Sequence, residues 1–197
     1  MSPVTHFLAG WLLANTASLS RRDRALVVVA AVIPDVDGLG AIPELLTRNS
    51  AHPLTWFSQY HHSLHTLAFA LAVTLASFLI AQRRWMTALL VFLSFHLHLL
   101  GDLLGARGPD GYSWPIPYLK PFSNSVQLSW HGQWALNAWP NVVITSFFAF
   151  LTLFLAWRNG FSPLEFVSAN ANAVLVSALR RRFPCFPRNR ISECNDT

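Results

Sequence analysis

The stretch WMTALLVFLSFHLHLLGDLL, Trp85 to Leu104, carries no charge before Asp102. It matches the ~20 apolar residues that one bilayer-crossing helix needs. Yet it holds His96, His98 and Asp102. An unpaired polar group among leucines costs several kcal/mol, so each of these must be hydrogen-bonded, ion-paired or metal-bound. His98 and Asp102 stand four apart and share one helix face. His96, two residues from His98, projects to roughly the other side, which suits a structural or supporting role.

Working outward, four more apolar segments appear, at 3–19, 25–33, 66–82 and 141–157. The second stops at Pro34 and is too short to span alone. The chain of 197 residues is 53% hydrophobic and only 12% charged, too apolar for an ordinary soluble domain. These features predict an all-α fold: a membrane-embedded helical bundle of about four to five apolar helices over residues 1–160. A loop at 105–140, rich in Trp, Tyr and Pro, joins the last two segments. Residues 161–183 read as an amphipathic helix ending in Arg180, Arg181 and Arg182, suited to an anionic membrane surface. A polar tail follows at 184–197. Cys185 and Cys194 lie in that tail, form no CxxC unit and read as free thiols. The first segment lacks the positive start of a signal peptide and reads as a retained helix.

If the segments alternate direction, their ends sort by chemistry. One side collects every Lys and Arg except Arg48, Arg107 and Lys120. The other collects all eight histidines, with Asp35, Asp37 and Asp102. The positive-inside rule places the arginine ends and the tail in the cytoplasm, and the His/Asp side toward the periplasm. The net charge of +5 is therefore explained by membrane topology, and no nucleic-acid partner is expected.

On the His/Asp side, His6 opens the first segment and Asp35 and Asp37 follow Pro34. His61, His62 and His65 precede the third apolar segment at helical i, i+3 and i, i+4 spacings, and His98 and Asp102 close the fourth. Imidazole nitrogen with carboxylate oxygen is a ligand set for zinc, manganese, iron or nickel. One or two divalent ions are expected, zinc first. A metal-bound water would then be the nucleophile, and a phosphoester its natural target. No nucleophile elbow, P-loop or dinucleotide fingerprint competes.

The order Thr5-His6, IPDVD (33–37), the histidine cluster, HLLGD (98–102) and WPIPYLKPFS (114–123) resembles the inner-membrane, LexA-regulated metal-dependent hydrolases typified by YdjM. That family is more distantly similar to zinc-dependent phospholipase C and P1-type nucleases. The resemblance implies a helical, bacterial inner-membrane hydrolase. Its matching positions are His6, Asp35, the histidines of 61–65, His98 and Asp102, with Asp37 as base or as a group behind the ligands. Whether His61 or His62 is the ligand stays open. Expected partners are membrane lipids and a lipid or phosphoester substrate. The alternative is a non-catalytic metal-binding or transport protein.

Overall fold

The computed structural model describes residues 1–108 and 111–184; the cysteines, Arg188, Arg190 and the rest of the tail lie outside them. Among the described residues the chain is helical, with no strand. In order come α1 (Pro3–Ala14), α2 (Arg21–Ala30), a 3-10 helix (Ile33–Gly40), α3 (Ala41–Thr47), α4 (Trp56–Tyr60), α5 (Leu67–Ile80), α6 (Arg84–Gly105), α7 (Trp139–Asn159), a second 3-10 turn (Pro163–Phe166) and α8 (Ala169–Arg182).

Local chemistry sets most of the boundaries. The side chains of Ser2, Ser20, Thr66 and Ser168 accept amide hydrogens of the first turns of α1, α2, α5 and α8. Gly160, at φ 81°, ends α7 by returning its amide to Ala156 O. Beyond α2, Pro34 lacks a donor and the chain tightens into the 3-10 helix that carries Asp35 and Asp37.

The core has two parts. Trp11 and Ala14 of α1, Val27, Val28 and Ala30 of α2, and Leu90 and Val91 of α6 form the first. Ala70 of α5, Phe95 and Leu99 of α6, and Ile116 of the long loop form the second. At Gly10 the three helices of the first part meet. A Cβ there would sit 2.5 Å from Ala31 Cβ and 3.3 Å from Ser94 Oγ. Ser94 Oγ itself donates to Val27 O at 2.8 Å, locking α6 to α2. Gly10→Val should therefore destabilise by about 1–3 kcal/mol through overpacking. A denaturation midpoint in detergent equal to that of the wild type would contradict this close approach.

Among the described residues two helices, α6 and α7, are long and apolar enough to cross a membrane, and α2 with residues Ile33–Thr47 is so as a pair bent by 48°. α1 and α5 are apolar but only 12 and 14 residues long. The span-length helices are thus fewer than the four to five apolar helices expected, since α1 ends at Asn15 and α5 at the extended Ala81. The segment at 161–183 also divides. Ser162 and Ser168 each cap a separate element, so only α8 is a regular helix.

The arginine ends are tied together. Asp23, fully buried, accepts the amides of Gln82 and Arg83, both at 2.9 Å. Arg24 reaches Glu165 with two hydrogen bonds of 2.9 and 2.8 Å. At the opposite end Asn141 Nδ2 donates to Gly105 O, the last residue of α6, and to Leu136 O. Trp134 Nε1 donates to Asn141 Oδ1 at 2.8 Å. The long loop is therefore fastened over the His/Asp end of the bundle.

Candidate metal centre

Three backbone devices bring the polar groups together. The 3-10 helix after Pro34 turns Asp35 inward. A turn before the Thr66 cap presents His65. The last two turns of α6 supply His98 and Asp102. His98 Nε2 lies 3.1 Å from His65 Nε2 and 3.1 Å from Asp102 Oδ2. His65 Nε2 lies 3.3 Å from Asp102 Oδ2, and Asp35 Oδ1 lies 3.6 Å from His98 Nε2. One donor atom from each of the four residues falls within 4.8 Å of all the others. A tetrahedral ion with bonds of about 2.0–2.1 Å has donor–donor edges of about 3.3 Å, so the group fits a divalent cation.

The outer partners fit as well. His98 Nδ1 donates to Ala31 O at 2.8 Å, which leaves Nε2 free to face the centre. Asp37 Oδ2 lies 3.4 Å from His65 Nδ1, a carboxylate behind the imidazole but too poorly aligned for a hydrogen bond. Asp37 is fully engaged: Oδ2 also accepts Leu64 N at 3.1 Å, and Oδ1 lies 3.2 Å from His61 Nδ1. His6 Nε2 lies 3.0 Å from Asp102 Oδ1, with its ring 3.9 Å from that of His98. The Met1 amino group shares that same Oδ1. Gln133 Nε2 donates to Asp102 O at 2.7 Å. Asp35 Oδ2 is buried and has no hydrogen-bond partner among the described residues.

The structure thus brings Asp35, His65, His98 and Asp102 into one group. His6 and Asp37 stand in contact with it, and His61 behind Asp37. His62 is buried between His61 and His65, with ring centroids at 4.3 and 4.4 Å, and its Nδ1 has no partner. The shared helix face expected for residues 61–65 does not exist. His61 follows α4 at ψ 132°, His62 sits at φ 73°, and α5 begins only at Leu67. His65 reaches the centre through this turn, in which its amide bonds His62 O. His96 points elsewhere, with Nδ1 on Phe92 O and Nε2 2.9 Å from the Tyr118 hydroxyl, holding the long loop to α6.

Burial pushes His62 down to about 3, and the neighbouring His65 and His61 act in the same direction. Burial also opposes the charged form of His65. There the carboxylates of Asp102 and Asp37 outweigh it and hold the ring up at about 9. The same two carboxylates that favour a proton on His65 favour a dication beside it.

Several contributors carry no sequence signal. Ala31 O acts through the backbone, and Gln133 sits in an aperiodic loop. Phe57, stacked on His61 at 4.4 Å, lies outside every apolar segment.

The YdjM inner membrane protein family matches residues 1–182. The chain belongs to that family. No curated protein and no solved structure matches it. The membrane location follows from the family and from the apolar helices.

Proposed function

We propose that this YdjM-family protein is a metal-dependent hydrolase acting on a phosphoester, water-soluble or lipid-linked, at the periplasmic side of the inner membrane. The observation that carries the reading is the four-donor group of Asp35, His65, His98 and Asp102 with its outer partners in place. These four would hold the ion, zinc first, which when bound supplies an activated water. Ala31 O holds the proton of His98 on its outward nitrogen, and the Asp37 carboxylate stands 3.4 Å from the outward nitrogen of His65. Asp37, with both oxygens engaged, serves as a group behind the ligands rather than as a base. Asp35 Oδ2 is the carboxylate oxygen of the cluster left free to take a proton. The arginine ends at the far side of the bundle favour a cytoplasmic location for Arg83, Arg84 and Arg158.

The test starts with protein purified in detergent without a histidine tag. Elemental mass spectrometry should find at least one divalent ion per chain. Hydrolysis of bis-p-nitrophenyl phosphate should disappear on chelation and return with the metal. Bound metal without hydrolysis of any phosphoester would sink the enzyme reading and favour a binding or transport role.

A further inference from the structure

The segment between Ile33 and Tyr60 is folded on one side and bare on the other. Val36, Leu39, Ile42, Leu45, Leu46 and Trp56 are each more than half exposed. Away from its exposed polar tip at 48–52, several of its polar groups are turned inward or paired off. Asp35 and Asp37 join the metal centre. Glu44 accepts Ser58 N and Ser58 Oγ at 3.0 and 2.6 Å, clipping α3 to α4. Thr47 Oγ1 donates to Pro43 O and accepts Leu54 N. Gly40 lets the backbone of α4 approach, since a Cβ there would meet Phe57 N at 3.0 Å. This is an ordered flap with one apolar face, and water is a poor solvent for such a face.

Its surroundings identify the occupant. Residues Ile33–Thr47 pass as membrane-compatible only together with α2, so the flap continues an apolar segment. Leu97 and Leu100, the immediate neighbours of His98 and Gly101, are exposed by two-fifths or more. The metal centre therefore lies at a depth where α6 still faces lipid. Trp56 and Tyr60, both half exposed, suit the headgroup level. The tip of the flap, at Arg48 and His52, is polar and exposed. An aromatic wall runs from the flap to the ligands. Phe57 stacks on His61, Trp114 stands edge-on to His61 at 5.1 Å, and His61 lies 6.0 Å from His65.

We infer that this flap lies in the membrane interface and holds lipid acyl chains beside the metal centre, so that the substrate is an amphiphile. Its polar head meets Asp35 and His65, and its chain lies along Phe57, Trp114 and the leucines of α3. The substrate half of this inference rests on the hydrolase reading above, and the flap half does not.

The two halves are tested separately. For the first, a nitroxide is placed at Leu46→Cys in a Cys185→Ser, Cys194→Ser background. The protein is reconstituted into phosphatidylethanolamine–phosphatidylglycerol vesicles. Collision with oxygen should exceed collision with a water-soluble nickel chelate, with the opposite order at Arg48→Cys. Equal chelate access at both positions overturns the flap. For the second, metal-loaded protein is given hexadecyl and ethyl p-nitrophenyl phosphate. The long-chain ester should show kcat/KM higher by at least about tenfold, given the transfer energy of its methylenes. Leu45→Ser with Leu46→Ser should reduce that preference to under about twofold. Hydrolysis of the ethyl ester with no chain preference overturns this substrate assignment alone. Failure to hydrolyse either ester, with metal bound, overturns the substrate assignment, and the hydrolase reading falls with it if bis-p-nitrophenyl phosphate is also left intact, while the nitroxide result still decides the flap.

Discussion

His98→Ala combined with Asp102→Ala is expected to empty the metal centre. Asp102 Oδ2 faces both His65 Nε2 and His98 Nε2, and His98 Nε2 lies 3.6 Å from Asp35 Oδ1. Removing the pair deletes half of the donors and leaves His65 and Asp35 with no third partner. Asp37→Asn acts differently. It keeps every donor and removes the negative charge beside His65 Nδ1 and His61 Nδ1. Loss of such an outer partner costs roughly 10–100-fold in affinity, so Asp37→Asn should still load at saturating metal. The double alanine variant should fall below that range and carry no ion through purification. Thermal denaturation provides a second readout. An ion present at about 100 times its Kd stabilises the folded state by about 2.7 kcal/mol. The wild-type midpoint should therefore rise on metal addition, and that of the double variant should not move. Equal metal content in the wild type and the double variant would mean that the cluster is a hydrogen-bonded network only.

The part of the centre that lies on α6 was readable directly. A 22-residue helix keeps its register over many turns, so four-residue spacing is enough to place His98 and Asp102 side by side. Asp35 was readable from Pro34, which stops α2 and forces a turn. The structure places His65 in the group, but not through the helical spacing that singles it out in the sequence. Its position depends on the Thr66 cap and on the positive φ of His62, two local choices that spacing does not encode. Between His61 and His62 the structure favours neither as a donor. Neither joins the four donors, because Asp37 occupies His61 and the turn buries His62.

The helical class of the fold followed from apolar runs, and the errors lie at their ends. α1 stops at Ala14, since Asn15 turns back to bond Trp11 O through its side chain. α5 is shorter than its apolar run because Ala81 is already extended. The short helices α3 and α4 left no trace in the periodicity. They are held by Glu44–Ser58 and Thr47–Leu54 contacts rather than by a buried stripe. Such contacts join residues 7 and 14 apart, and no local pattern announces them.

The second large effect belongs to the arginine end. Arg24 donates to both oxygens of Glu165 and, through Nη1, to Leu19 O at 2.7 Å, while its guanidinium carbon lies 4.0 Å over the Phe161 ring. Both side chains are about nine-tenths buried. Glu165→Ala would leave the guanidinium with Leu19 O as its one acceptor, and the expected cost is about 3–5 kcal/mol. Arg24→Met with Glu165→Leu removes both charges and keeps the volume, so it should fall within about 1 kcal/mol of the wild type or above it. Denaturant unfolding in detergent, arranged as a double-mutant cycle, measures the difference. A cost below about 1 kcal/mol for Glu165→Ala would mean that water reaches the pair. The consequence reaches the metal centre by a definite route. α2 runs from Arg24 to the turn that presents Asp35. Asp23 beside it holds the start of α6 through Gln82 and Arg83. α6, which carries two of the four donors, and α2, which leads into the 3-10 helix carrying a third, are thus clamped at their far ends by neighbouring acidic contacts. The centre depends on this clamp for its rigidity and not for its charge. The neutral Arg24→Met, Glu165→Leu protein should therefore retain its metal, while Glu165→Ala should lose it at a lower temperature than the wild type.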